Sequence, residues 1–172
     1  EVSIVVGGDV SVGSWEIVGD TIVTVISTSE HPGEIFVVEG HSAQKDRPLR
    51  RVSHVNDALL SSVTLGDVEK VSFPCRDVRT YTSLGSRQMY IDTVNDYVEM
   101  FVYKPPGFVE GAGFKYPCLL WIHGGPVSQY DWSFSAPAQL FANHGYVVLQ
   151  VNPRGSTGRG EEFCSALYCD WG

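Results

Sequence analysis

The sequence predicts a mixed α/β chain in two parts, antiparallel β structure first and a βαβ unit of parallel type after it. Three observations carry this reading. Short β-branched and aromatic runs, punctuated by turn residues, fill the first third. A continuously apolar run, "PCLLWIH" at 117–123, opens the last third. A helical pattern and a second apolar run, "YVVLQVN" at 146–152, then follow within the span of one strand–helix–strand unit.

In chain order, "VSVGSWEIVGD" (10–20) reads as a strand ending at a Gly19-Asp20 hairpin dipeptide. "TIVTVIST" (21–28) and "EIFVVEG" (34–40) are two more strands, with the turn signal "EHPGE" between them. Strands at such close spacing suggest a β-meander, as in a propeller blade or a sandwich. There is room for little more than one blade of about 40 to 45 residues, and no second copy of the pattern is visible. "RPLRRVSHVNDALLSS" (47–62) is a transition: a basic piece, an Asn56-Asp57 turn, then a short apolar piece.

"VEKVSF" (68–73) and "DYVEMFVYKPP" (96–106) read as strands on either side of a polar segment, 76–95, that receives no assignment. "PPGF" (105–108) and "GAG" (111–113) form a loop. The run "PCLLWIH" has the pattern of a strand covered on both faces. "FSAPAQLFANHG" (134–145) is helical, with Ala138, Phe141 and Ala142 on one face and Gly145 as its stop. The crossover to "YVVLQVN" should be right-handed. The expected division is 1–66 for the meander and 67–172 for the α/β part.

Composition narrows the function classes. Of 172 residues 43% are apolar and 19% charged, ordinary for a globular protein. The formal net charge of −8 and the lack of a basic stretch argue against nucleic-acid partners. No run approaches the roughly 18 apolar residues of a membrane-spanning helix. Cys75, Cys118, Cys164 and Cys169 form no CxxC pair, so no metal or other cofactor is expected, and Cys118 reads as a small buried apolar residue. The chain opens on Glu1 inside a strand-like run and ends on "CDWG", so both ends are expected to be cut from something longer. The compartment is left open, the cytoplasm being the first choice.

The motif with chemistry is "HGGP" (123–126), at the C-terminal end of a central-type strand, where open α/β sheets bind ligands. Two glycines let the backbone turn sharply and expose N–H groups, which can stabilise an oxyanion during acyl transfer. On these four residues alone a plain strand-ending turn competes with that reading.

Context decides between them. "YPCLLWIHGGP", "FANHGYVVLQVNPRGSTGRGEEF" and "DWG", in this order, resemble the prolyl oligopeptidase family of serine peptidases, in particular its acylaminoacyl-peptidase and dipeptidyl-peptidase-like members. "KPPGF" (104–108) fits one strand earlier, and "PLRRVSHVNDALL" resembles the end of that family's β-propeller; residues 76–95 depart from the pattern by extra length. The resemblance implies the N-terminal part of an α/β-hydrolase domain, preceded by the last part of a propeller. Gly125 would offer its N–H to the oxyanion and Gly124 would shape the same turn. His123 stands where some relatives carry an oxyanion-binding Tyr, and is either a donor there or a structural residue tied to a neighbouring loop. Arg154 would hold loops together, and Asp170 and Trp171 would anchor a helix.

Acyl transfer on this fold also needs a G-x-S-x-G elbow and, after it, an acid and a histidine. "GHSAQ" (40–44) lacks the second glycine and lies upstream of "HGGP"; "GSTG" (155–158) has the wrong spacing. No residue of the triad can be assigned, and the family's elbow lies one strand beyond 146–152. The resemblance also implies early sheet strands in the spatial order first, second, fourth, third, with "PCLLWIH" at an edge prone to association. The expected function is therefore serine-type peptide hydrolysis by a parent protein, with an inactive segment here that supplies half of the oxyanion hole. The expected partner is a peptide substrate, with a homo-oligomer of the parent left open. The alternatives are a non-catalytic binding or regulatory module that completes its sheet with a partner, and an esterase of the same fold.

Overall fold

The computed structural model describes residues 4–40, 48–82, 89–125 and 127–167, apart from the side chains of 75–96. Backbone packing divides the chain into two compact units. One comprises Glu1–Val68, Tyr103–Leu119 and Asp131–Val148, the other Glu69–Val102, Leu120–Tyr130 and Leu149–Gly172.

In the first unit, strands β1 (Ser11–Val18), β2 (Thr21–Ser27), β3 (Glu34–Glu39) and β4 (Leu49–Arg51) form an antiparallel meander in chain order. The β1–β2 turn is Gly19-Asp20, with Val18 opposite Thr21, as the dipeptide predicts. Alternation places Thr24 and Ile26 of β2 and Val38 of β3 in the core. Asn56-Asp57, expected to be a turn, instead opens a one-turn helix, α1 (Asp57–Leu60), with Asn56 at the N-cap position but no side-chain capping hydrogen bond. The same two residue types serve turns and helix starts, and the apolar residues that follow tip the balance to a helix.

A second four-stranded sheet has the order β5-β6-β8-β7, where β5 is Val68–Thr82, β6 is Met89–Tyr103, β7 is Cys118–Ile122 and β8 is Val147–Asn152. This is the spatial order first, second, fourth, third. Strands β5 and β6 take in much of 76–95, and β6 stops at Tyr103, before Lys104-Pro105, because proline cannot donate to a ladder. Between β7 and β8 lies helix α2 (Ala136–Asn143), with Ser135 accepting from the Ala138 N–H and a proline in its first turn. Gly145 follows the last turn in a left-handed conformation. Val147 N–H donates to Pro117 O at 2.9 Å, which sets the starts of β7 and β8 side by side, as a parallel pair requires. A short helix α3 (Glu161–Ser165) comes last.

Two expectations about burial need correction. Strand β7 is not covered on both faces: Leu120 and Ile122 are 61% and 66% exposed, and Cys118 is exposed with them, while Leu119 and Trp121 on the other face are half-buried. Apolarity reveals what a strand can bury, whereas exposure is set by what packs on each face, and among the described residues the face of Cys118, Leu120 and Ile122 is left open. On α2 the buried residues are Ala138, Gln139 and Ala142, and Phe141 is exposed. Gln139 is buried because its amide closes a pair of hydrogen bonds on Gly66, accepting from its N–H at 2.8 Å and donating to its O at 3.1 Å. Gly66 must be glycine here, since a Cβ would stand 2.2 Å from Lys104 O.

Candidate functional site

The candidate site is built from the loop after β7 and the loop after β8, both in the second unit. Strand β7 ends at Ile122, and the chain leaves it through His123, Gly124 and Gly125. Gly125 has φ +139°, and a Cβ there would stand 2.8 Å from Val127 N, so the turn requires glycine at this position. Both glycines are exposed, which leaves this stretch of backbone open to a ligand.

His123 is half-buried, and both ring nitrogens face oxygens. Nδ1 is 3.1 Å from Gly124 O, and Nε2 is 2.9 Å from Ser156 Oγ. The ring also meets Tyr130 edge-on, with centroids 5.2 Å apart at 75°. Ser156 is fully buried, and its hydroxyl donates to Pro153 O at 2.6 Å.

A His Nε2 beside a Ser Oγ has the outline of a base and its nucleophile, but the surroundings deny that role. The hydroxyl is out of reach of substrate and is engaged by a carbonyl. The other ring nitrogen faces a backbone carbonyl, where a catalytic histidine would have its carboxylate. The pair is a brace between two loops.

Asn152, the last residue of β8 and only 3% exposed, makes a second brace. Its Oδ1 accepts from Tyr130 N–H at 2.7 Å, and its Nδ2 donates to Tyr130 O at 2.8 Å. Thr157 N–H donates to Ser128 O at 2.9 Å. Burial pushes the Tyr130 phenol up from its ordinary value. The loops after β7 and β8 are thus stitched together from residues 123–130 on one side and 152–157 on the other.

Of the residues singled out in the sequence, His123, Gly124 and Gly125 come together at the end of β7, and Arg154 lies half-buried in the loop after β8. Asp170 and Trp171 fall outside the described residues. Ser156 and Asn152 were not anticipated. Ser156 lay within "GSTG", a motif set aside for its spacing, and the available signal for Asn152 was a polar residue closing an apolar strand. Among the described residues no group of His, Cys, Asp or Glu is placed to hold a metal ion, and no helix is long and apolar enough to cross a membrane.

Comparison with known proteins gives a consistent result. A family model described as the prolyl oligopeptidase family matches residues 132–172. The probable dipeptidyl-peptidase 5 of Aspergillus terreus is 38% identical over 87 residues, 49% of this chain and 12% of that protein. The dipeptidyl-peptidase 5 of Trichophyton equinum is 30% identical over 98% of this chain and 20% of that protein. Among solved structures, the acylaminoacyl peptidase of Pyrococcus horikoshii superposes with a TM-score of 0.68 at 21% identity, over 92% of this chain and 21% of that one. The chain therefore spans about a fifth or less of the length of the proteins it matches.

Proposed function

Because the chain belongs to the prolyl oligopeptidase family, we propose that it is a segment of a serine peptidase, in which it supplies the oxyanion loop. The observation that carries this reading is the exposed Gly125 at the end of β7, held in a turn only glycine adopts. In acyl transfer a serine attacks the peptide carbonyl, and negative charge develops on its oxygen. A backbone N–H aimed at that oxygen is worth more in the transition state than in the ground state. Losing one such donor typically costs about 10²–10³ in rate.

In this proposal residues 1–66 close a β-propeller and residues 67–172 begin the hydrolase domain. The meander order of β1 to β4 and the order β5-β6-β8-β7 support the division. The nucleophile, acid and catalytic histidine come from elsewhere in the parent protein, so the 172-residue chain alone is inactive. The substrates are short peptides, including N-acylated ones. Arg154 ties loops together and does not touch substrate.

The test uses a serine-directed fluorophosphonate together with peptide anilides, both N-acylated and with a free N-terminus. The parent protein should be labelled stoichiometrically and release the anilide, while the 172-residue chain does neither. Labelling of the isolated chain would overturn its assignment as the oxyanion half, and a parent protein inert to both reagents would overturn the peptidase reading.

A further inference from the structure

We infer that the first 66 residues build a docking surface for helix α2: polar anchors at Ser11, Ser27 and Gly66 fasten the chain from Asp131 to Ala142, so that meander and helix open and close as one unit. The inference goes beyond the peptidase reading and does not depend on it.

Helix α2 has little of its own to hold it. Its eight residues are fewer than the roughly 12 to 15 that a helix needs to persist alone in water. It buries only Ala138, Gln139 and Ala142. Beside it, Leu59, Leu60 and Val63 on one side and Phe134, Ala136 and Leu140 on the other line an apolar crevice of about 460 Å³. Two buried alanines next to an open crevice remove little apolar surface from water, so directional bonds decide where the helix sits.

Those bonds come from three places in the N-terminal third. Ser11, at the start of β1, lies in register with Ser27, at the end of β2. The Ser11 hydroxyl donates to Asp131 Oδ2 at 2.7 Å, and Asp131 Oδ1 accepts from the Ser133 N–H at 2.9 Å. One carboxylate thus ties the chain before α2 to the meander and shapes its bend. Ser27 Oγ accepts from the Phe134 N–H at 2.9 Å and gives its own proton to His31 O at 2.9 Å. Further along, the Gln139 amide holds both backbone groups of Gly66, where a Cβ would come within 3.1 Å of Ala142 Cβ. The partners are 120, 107 and 73 residues apart, so the anchors exist only when the N-terminal segment is folded. All of these residues belong to the first compact unit, together with the meander.

Hydrogen exchange of the parent protein, read by mass spectrometry, tests this with Ser11→Ala, Ser27→Ala, the double variant and Gln139→Leu. In each serine variant the amides of α2 should exchange about threefold to tenfold faster, the value of one net hydrogen bond, and faster still in S11A/S27A. Coupling is reciprocal, so Q139L, a change on the helix, should speed exchange in β1 and β2 by a comparable factor. Strand β6 contributes no anchor and should keep its wild-type rates.

Unchanged exchange of α2 in S11A/S27A overturns the inference. Acceleration spread equally over α2 and β6 also overturns it, because that pattern marks general destabilisation and not undocking. A Q139L protein with β1 and β2 at wild-type rates refutes the shared opening. If S11A/S27A does not fold, S11A alone decides by the same comparison of α2 with β6.

Discussion

Asn152 grips Tyr130 at both ends of its backbone, accepting from the N–H at 2.7 Å and donating to the C=O at 2.8 Å. One side chain thus replaces two hydrogen bonds that water or a neighbouring strand would otherwise supply, and it does so where only 3% of Asn152 is exposed.

Removing that side chain leaves two backbone groups unpaired in a region with little solvent. Asn152→Ala should therefore destabilise the protein by about 2 to 6 kcal/mol, at 1–3 kcal/mol for each of the two buried groups left unsatisfied. Asn152→Asp keeps the acceptor for the Tyr130 N–H but sets a carboxylate against the Tyr130 carbonyl, so it should destabilise as well. Urea denaturation of the parent protein measures both. A change in N152A of under about 0.5 kcal/mol, the size of an ordinary surface substitution, would refute the clamp.

Glu34 predicts an acid limit for the meander. It is 2% exposed, and its carboxylate accepts from the Ser53 hydroxyl, from the Asn56 N–H at 3.1 Å and from Arg51 at 3.1 Å. The Ser53 hydrogen bond is the main cause holding its pKa at about 2, below the ordinary 4.5; burial opposes it, and bonds from Asn56, Val55 and Arg51 add to it. Arg51 in turn pairs with Asp57, whose carboxyl is also held down, first by Arg51 and then by His54. Between the two Glu34 values the unfolded chain binds more protons than the folded one. The stabilisation is thus complete above about 4.5, erodes below it and is gone once the pH falls through about 2. Urea midpoints measured from pH 6 to pH 2 should show this acid slope, and Glu34→Gln should flatten it. A slope unchanged by the substitution would refute the assignment.

Gln139 and Gly66 make a similar clamp between residues 73 apart in sequence. Gln139→Leu nearly preserves shape but leaves the Gly66 N–H and C=O unpaired, so a loss of about 2 kcal/mol or more is expected. Gly66→Ala fails for a different reason. Its Cβ would stand 2.2 Å from Lys104 O and 3.1 Å from the Ala142 Cβ. The expected cost is about 1–3 kcal/mol, typical of overpacking, and it should not be relieved by combining the two substitutions. Calorimetric melting of both single variants and the double variant checks this, and a G66A protein as stable as the wild type would remove the claim of close approach.

The features readable in advance were those set by local chemistry. The Gly19-Asp20 turn and the Gly145 helix stop need a backbone conformation that glycine adopts at little cost, so the residue type signals the geometry. The order of the second sheet was legible through resemblance alone, since no periodicity encodes which strand lies beside which. The rest depended on partners distant in sequence. Gln139, Asn152 and Ser156 are polar and buried because a particular backbone group elsewhere satisfies each of them. Nothing in the flanking residues distinguishes such a side chain from a solvated one. His123 was legible as a site residue, but its engagement on both nitrogens was not, because Ser156 lies 33 residues further on.

Strand β7 carries the last prediction. It lies at the edge of its sheet, with Cys118, Leu120 and Ile122 turned to an uncovered face. An unpaired apolar edge offers both a hydrogen-bonding template and surface to bury, which is the recipe for strand addition between molecules. The 172-residue chain, prepared by itself, should therefore associate in a concentration-dependent way. Lysine is the residue natural proteins use to blunt such edges, so Leu120→Lys combined with Ile122→Lys should shift the chain toward monomer. Light scattering and sedimentation velocity over a concentration series read this directly. In the parent protein, read as an α/β-hydrolase, helices cover both faces of this sheet, so there the same double substitution should instead destabilise the fold. If the lysine variant of the short chain associates as strongly as the wild type, the association surface lies elsewhere and β7 is not the exposed edge responsible.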